Sequence, residues 1–576
     1  MRTNGTSSGG GLIARLRSKI LTMEPLRDAL LLASTVLLVV LVVVPLARLL
    51  INSFATDGEA AGGSLSNYVK VLSDPASYWL LWNSVIYATA SSIIAITIGA
   101  SLAYLLQRTN VRGKAFFGFL ALAPAFMPPV LIAMSWVLLL DEHIGVVNRW
   151  LAPVFGPGLF DIYSFWGMVW VGGLLDVPLA FLWLWPAFAA LDPALEEAAA
   201  MSGARPVRVL GTVTMPLVRP ALLAAFLVSF VMSIEDVTVP ILIGLQADVR
   251  VFATEIYLTQ TQIPPDGPLA SAQSVLLLVV TIALMFWYRH FNRRAERFSV
   301  VRGKGYRPAG IVLGRWRPAA HLYLVLFTVL TVGLPLFVLV WTSLSPFVQA
   351  PSFRGLSRLS LNWYAIVLND STAIRGILNS LAAGVIAAIV VLALALVIGW
   401  AVLRSRQRIW ALLDVLSFLP LALPGVVIGL ALIAMWIPST LPVYGTLLII
   451  IIAYVTKFLP YGVRLIYAGM GQLHKELEEA AAISGASWLR ILRTIYFPLL
   501  LPTMAAGLLY TVMRGFRELP ASLILLAHGN ETYSVVAYEF WSAGEPGKTA
   551  AYGVVVILVM TVLLISVRRL FGRLGM

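Results

Sequence analysis

The chain has 576 residues, 60% apolar and 12% charged, with a mean hydropathy of +0.89, against roughly twice that share of charge in an ordinary soluble domain. This excludes a soluble globular protein and a disordered chain, and the lack of any cysteine excludes thiol chemistry and a disulfide scaffold. The net charge of +14 comes from Arg and Lys standing between apolar runs, where they anchor topology and do not form a nucleic-acid surface.

Met1 to Gly10 are polar and Gly/Ser-rich, and the apolar run at about 28–51 is too long, and lacks the cleavage site, for a signal peptide. It is expected to stay as a span. Apolar runs of spanning length follow near 28–53, 80–106, 115–140, 163–190, 218–245 and 270–291, then near 319–343, 376–403, 409–437, 444–470, 500–527 and 549–571. These twelve read as helices, because β-barrel strands alternate in short segments and these runs are continuous. The implied class is an all-α integral membrane protein.

Basic residues set the orientation. Arg2, Arg15, Arg17, Lys19 and Arg27 precede the first span, Arg108, Arg112 and Lys114 follow the second, and Arg404, Arg406 and Arg408 follow the eighth. The intervening loops, 55–79 and 528–548, carry more acid than base. Both termini are expected in the cytoplasm. Residues 1–27 then form a cytoplasmic N-terminal segment, 28–291 a first half, 292–317 a basic, Gly- and Pro-broken cytoplasmic linker that suits anionic lipid headgroups, and 318–576 a second half.

The halves repeat each other. SLSNYVKVLSD from Ser64 matches SLNWYAIVLND from Ser360; Asn83-Ser84 matches Asn379-Ser380; Arg108 matches Arg404; Pro124 and Pro128 match Pro420 and Pro424. Further on, LEEAAAMSGA from Leu195 aligns with LEEAAAISGA from Leu477, and Pro216 and Pro220 align with Pro498 and Pro502. Six spans per half is an even number, so the two bundles run in the same sense and their repeat axis lies along the membrane normal.

Each LEEAAA segment falls in a cytoplasmic loop between the fourth and fifth spans of its half. Asp192-Pro193 reads as an N-cap with Pro in the first turn, the Ala run favours helix, and Gly203 and Gly485 can end each helix in a left-handed conformation. Small side chains let such a helix enter another protein's groove, where Glu197 or Glu479 can engage a basic or hydrogen-bonding group. A single Ala-rich surface helix needs no partner; two matching copies on one face read as docking elements.

Here the chain resembles the permease subunits of bacterial ATP-binding-cassette importers of the type I fold. Their signature, E-A-A-x-x-x-G followed by a spaced aliphatic residue and two prolines, is met by Glu197, Ala198, Ala199, Gly203, Val213, Pro216 and Pro220, and by Glu479, Ala480, Ala481, Gly485, Ile495, Pro498 and Pro502. Val213 stands where Ile is more usual. The resemblance implies that each loop helix couples to one of two cytoplasmic nucleotide-binding subunits, that ATP and Mg are bound there with no cofactor in this chain, and that the chain is the path and not an enzyme. SIEDVTVPILIG from Ser233, RELPASLILL from Arg517 and the external stretch from Thr254 look like fused two-half permeases of the ferric-iron group. Relatives in that group carry thiamine, polyamines, phosphonates or phosphorylated sugars, and an extracytoplasmic binding protein delivers the cargo. The implied location is the bacterial inner membrane.

SAGEPGKT, Ser542 to Thr549, looks like a P-loop, but Ser542 replaces the first glycine and the topology puts the segment outside. The five histidines are scattered and give no metal-ligand spacing. Ionisable residues within spans are costly and usually face a cavity or partner. Glu235 and Asp236 in span five, and Arg514, Arg517 and Glu518 in span eleven, are therefore candidates for the translocation path. In repeat register Glu235 meets Arg517, so a Glu235–Arg517 attraction across the axis is the expected gating contact, with a static interhelical pair as the alternative. Asp176, Asp414, Lys457 and Arg464 read as structural or interfacial. A twelve-span secondary transporter shares the plan of two parallel halves, but the paired loops, and Gln107 to Asn110 where such transporters carry a Gly-x-x-x-Asp-Arg element, speak against it.

Overall fold

The computed structural model describes residues 25–55, 63–295, 311–404 and 408–571. Sixteen helices carry the architecture. In the first half these are α1 (Leu26–Ser53), α2 (Pro75–Arg108), α3 in two arms (Lys114–Phe126 and Pro129–Leu140), α4 (Phe165–Ala189), the short α5 (Pro193–Met201), α6 (Leu210–Ile234), the short α7 (Phe252–Thr261) and α8 (Gly267–Ala295). The second half repeats them in order as α9 (Gly314–Leu344), α10 (Ser371–Arg404), α11 (Ala411–Ala422 and Gly425–Trp436), α12 (Leu447–Gly471), α13 (Lys475–Ile483), α14 (Trp488–Arg517), α15 (Tyr533–Ser542) and α16 (Pro546–Phe571). Among the described residues no strand forms beyond an isolated bridge between Thr109 and Ile311. The N-terminal segment to residue 24 and linker residues 296–310 lie outside the described residues.

Two expected spans are not straight. The arms of α3 meet at 99° and those of α11 at 110°. Each break falls at a matched pair of prolines, with Met127 before Pro128 and Leu423 before Pro424 both extended. Proline removes a backbone donor, clashes with the preceding turn and pushes the residue before it out of helical geometry. The described residues thus hold ten continuous helices long and apolar enough to span a membrane and two bent pairs.

Side-chain register decides whether the bent pairs cross. Along α2 and α4, Cβ positions built on Gly173 and Gly99 would meet Ile94 and Ala180 respectively, and Arg108 at the end of α2 donates to the carbonyl of Leu191 just past α4. These contacts advance together, so α2 and α4 are parallel and end on the same face. In the second half Gly462 packs on Val391, Gly399 on Ile466 and Met470, and Arg404 donates to the carbonyls of Met470 and Leu473. The chain leaves α2 on one face and enters α4 on the other, so α3, and likewise α11, must cross the bilayer as one broken span. Each half has six crossings, which keeps the two bundles in the same sense.

The long α2 and α10, 34 residues each, span about 51 Å at 1.5 Å per residue and project well beyond a hydrocarbon core of about 30 Å. The first helix of each half crosses over to the other half. The end of α1 packs on the second arm of α11 while its start lies against α10, and α9 packs on α16 of its own half and on both arms of α3. Thr456 on α12 donates to the carbonyl of Leu41, and Ser101 on α2 shares a hydrogen bond with Tyr323 on α9.

The repeated motif before α2 and α10 also has a structural cause. Tyr68 bonds Ser53 at 2.6 Å and Tyr364 bonds Ser343 at 2.7 Å, holding a short helix against the preceding span. Asp74 and Asp370 then accept from Ala76 and Thr372 to open α2 and α10. Ser84 and Ser380 accept from the backbone amides of Phe252 and Tyr533, both at 2.8 Å, and Asn83 and Asn379 donate to carbonyls just upstream, fixing α7 and α15 on the face opposite Arg108. There Tyr257 of α7 lies close to its repeat mate Tyr538 of α15. Burial, then Tyr538, pushes the Tyr257 hydroxyl up to about 12.

The α2–α4 contact sets the first stability test. A Cβ on Gly99 would lie 2.8 Å from the Ala180 Cβ and 2.9 Å from the Phe181 nitrogen, and overpacking of this kind costs about 1–3 kcal/mol. Gly99→Leu should lower the melting temperature of the detergent-solubilised protein, whereas Gly118→Ala, whose Cβ meets nothing within 4 Å, should not.

Candidate functional site

The two loop helices lie on the face where α2, α4, α10 and α12 end. Asp192 accepts from the Ala194 amide at 2.9 Å and opens α5. Gly203 and Gly485 end α5 and α13 at φ +81° and +79°, and the amides of Ala204 and Ala486 bond back to Ala199 and Ala481. That is the closure a left-handed glycine makes possible. Glu197, Ala198, Glu479 and Ala480 are exposed, and Ala199 and Ala481 are half-buried. Beside them stand matched aliphatic side chains: Leu195 and Leu477 are each 47% exposed, Met201 85% and Ile483 87%. An acid, an alanine surface and an unburied aliphatic residue recur on both helices.

Sequence reasoning missed the residue that fixes each helix. The first glutamate of each LEE is turned inward. Glu196 forms a buried ion pair with Arg108 and accepts from the Thr214 hydroxyl at 2.6 Å. Its repeat mate Glu478 accepts from Trp400 Nε1 at 2.8 Å and from the Tyr496 hydroxyl, the mate of Thr214, at 2.6 Å. Arg108 meanwhile donates to the Leu191 carbonyl just past α4, and Arg404 to the carbonyls of Met470 and Leu473 at the end of α12. Each corner joins the end of one long span, the end of a second, the loop helix and the start of α6 or α14. The available signal was the doubled Glu, since a helix with one exposed face has no use for two adjacent acids pointing outward.

The second group lies where α6 and α14 stop. Glu235 and Glu518 are the C-terminal boundary residues of those helices, and Glu518 is extended, so Arg514, Arg517 and Glu518 do not share one helix face. Asp236 accepts from the Tyr87 hydroxyl and the Thr238 amide, both at 2.9 Å. Glu518 accepts from the Ala521 amide and pairs with Lys457 at 2.8 Å. Both acids therefore open the helical turns that follow, as carboxylates do at helix starts. Lys457, read from sequence as structural or interfacial, stands beside this cluster through its pair with Glu518. Asp176 accepts from Ser233 at 2.9 Å, and the Arg514 guanidinium lies 5.7 Å over the Tyr461 ring.

The expected Glu235–Arg517 contact is not made. Arg517 instead reaches into the break of α3 and donates to the carbonyls of Pro124, Ala125 and Met127 at 3.1, 2.5 and 2.6 Å. A broken helix leaves carbonyls without amide partners, and a guanidinium is the side chain that can satisfy several at once. Glu235, left without it, keeps one buried carboxylate oxygen with no hydrogen-bond partner. At the break of α11 a Cβ on Gly425 would meet Glu518 Oε1 and Lys457 Nζ at 2.8 Å each. One break is thus filled from the opposite half and the other from its own.

The P-loop-like segment opens α16 as helix. A Cβ on Gly547 would fall 2.5 Å from Trp363 Nε1. Lys548 is held by Asp370 at 2.9 Å and Glu545 at 3.4 Å and sits 3.8 Å over the Phe540 ring. That lysine is committed to carboxylates on the face opposite α5 and α13. On the same face burial, reinforced by Glu531, raises Glu539 above the ordinary glutamate range.

Comparison with known proteins gives the class. The family model described as "Binding-protein-dependent transport system inner membrane component" matches twice, over residues 95–297 and 393–575. The chain belongs to that family and is a permease subunit of an ABC importer, with both permease halves fused in one multi-pass membrane protein. It is 27% identical over 551 residues to the ferric transport system permease protein FbpB of Actinobacillus pleuropneumoniae, covering 93% of this chain and 77% of that one. It is 25% identical over 497 residues to the Fe(3+)-transport system permease protein FbpB 2 of Haemophilus influenzae, covering 86% and 90%. The trehalose/maltose transport system permease protein MalG of Thermococcus litoralis is 26% identical over 275 residues, 46% of this chain but 93% of that one. One half here corresponds to a whole subunit there.

In the spanning bundle Glu518 is buried and its partner Lys457 largely so, and removing one partner of a buried pair costs about 3–5 kcal/mol. Lys457→Met should therefore strongly lower the yield of monodisperse protein. Lys457→Met combined with Glu518→Gln, which removes both charges of the pair, should recover most of it.

Proposed function

We propose that this permease imports ferric iron across the bacterial cytoplasmic membrane, with α5 and α13 docking two cytoplasmic nucleotide-binding subunits and an external binding protein delivering the cargo. The observation that carries the reading is the pair of matched loop helices on one face, each presenting Glu197 or Glu479 and an unburied Met201 or Ile483. An exposed aliphatic side chain next to an acid on a membrane protein's polar face suits a protein groove. The basic residues Arg108, Arg112 and Lys114 at that face support a cytoplasmic assignment by the positive-inside rule. The choice of ferric iron rests on the two near-full-length relatives, both of whose names specify ferric transport.

In this reading the partner subunits bind ATP and Mg, and their closure shifts the permease between inward- and outward-facing states through differential affinity. The path runs between the ends of α6 and α14, past Glu235, Asp236, Arg514, Arg517 and Glu518. Arg517 pins α14 of one half to the broken α3 of the other, so the two halves cannot separate there without giving up its three carbonyl contacts.

The natural chain has no cysteine, so single-cysteine variants report without background. Met201→Cys and Ile483→Cys should each cross-link to the nucleotide-binding subunit in the intact complex, with Lys548→Cys as the external negative control. A chain in which neither links does not couple through these helices. Arg517→Ala should change both the transport rate and the basal ATPase of the assembled complex; if neither changes, Arg517 is not part of the gate. Radiolabelled ferric ion supplied on the binding protein should accumulate in vesicles in an ATP-dependent way, and its exclusion would remove iron as cargo.

A further inference from the structure

We propose that Glu196 and Glu478, one position before the signature glutamates, are the positioning residues through which motion of the docking helices reaches the spans, and that the two posts are chemically unequal. The inference rests on the docking reading of α5 and α13. Its basis is the corner geometry. Besides packing on the start of α6, α5 is tied to the membrane domain, among the described residues, by the polar contacts of Glu196, whose carboxylate bonds Arg108 at the end of α2 and Thr214 near the start of α6. Arg108 also donates to Leu191 at the end of α4. A push on the exposed face of α5 therefore arrives at three spans through one buried carboxylate. In the second half Glu478 does the same for α10 through Trp400 and for α14 through Tyr496.

The inequality lies in the partners. Glu196 is 6% exposed and its main partner is a cation that is itself 3% exposed. Neutralising Glu196 strands the Arg108 charge in a dry site. Glu478 is half-buried and, among the described residues, accepts from neutral groups, an indole N–H and a phenol. A glutamine at 478 keeps both bonds, because its carbonyl accepts from Trp400 and its amide donates to the Tyr496 oxygen. The first corner is an ionic, rigid post and the second a neutral, tolerant one.

The test uses the whole complex, permease with its nucleotide-binding subunits in vesicles and the loaded binding protein, and reads ferric ion taken up per ATP hydrolysed. Docking is read separately as the cross-linking yield through Met201→Cys and Ile483→Cys. Glu196→Gln should leave cross-linking intact and lower uptake per ATP about tenfold, within the usual range of coupling free energies. Glu478→Gln should stay within about twofold of the unaltered complex, while Glu478→Ala falls as Glu196→Gln does. Equal effects of the two glutamine variants, or no change of the ratio in any of the three, would overturn the proposal. If Glu196→Gln does not assemble, Thr214→Val, which removes one hydroxyl donor, should still lower the ratio, and an unchanged ratio there counts equally against it. Absence of cross-linking in the otherwise unaltered chain defeats the docking reading instead, so the two failures are told apart.

Discussion

The architecture depends on an arginine at the end of each long helix. Arg108 donates to a carbonyl just past the end of α4, and Arg404 to carbonyls at and just past the end of α12, which ties two parallel spans together at one corner of one face. Parallel neighbours cannot be joined by a short turn, so the chain must cross the bilayer between them, which α3 and α11 do as broken helices. The loop helices are then suspended from the same corners. Burying an arginine there is costly, and the terminal guanidinium nitrogens are the ones that find acceptors, while Nε of Arg108 and of Arg404 has no partner among the described residues. Carbonyls at a helix end are the natural acceptors, because they have lost their own amide partners.

The charged residues of the bundle follow from the breaks. Each interrupted helix exposes polar backbone at membrane depth, which is tolerated only where protein re-satisfies it. Arg517 does this for α3 and the Lys457–Glu518 pair fills the matching place at α11. The two halves descend from one plan but solve the problem with different chemistry, so the interior is asymmetric although the backbone repeats. Glu235 occupies the position of Arg517 and cannot do its work, since a carboxylate does not donate to carbonyls.

Much of this was legible in the sequence. The repeat, the crossings, the loop helices and their glycine ends follow from apolar run length, basic loops and two copies of one motif. What stayed hidden depends on distance in space. Pro124 and Pro128 could be read as repeat landmarks, yet nothing local says that the chain turns by about a right angle there. The crossing of α1 and α9 to the opposite half is a matter of docking, invisible to hydropathy. Glu196 and Glu478 sat beside the residues singled out and were passed over because a motif names residues, not the direction they face. Register alone paired Glu235 with Arg517; the breaks decided otherwise.

The central claim is that the two loop helices move as rigid extensions of the spans they hang from. Spin labels at Ser202 and Ser484, with a second pair at Arg112 and Arg408, would measure it directly in the assembled complex by pulsed distance spectroscopy, with and without a non-hydrolysable ATP analogue. The account predicts that both distances change together in the same direction on nucleotide binding. A change confined to the loop-helix pair, with the span ends still, would contradict it.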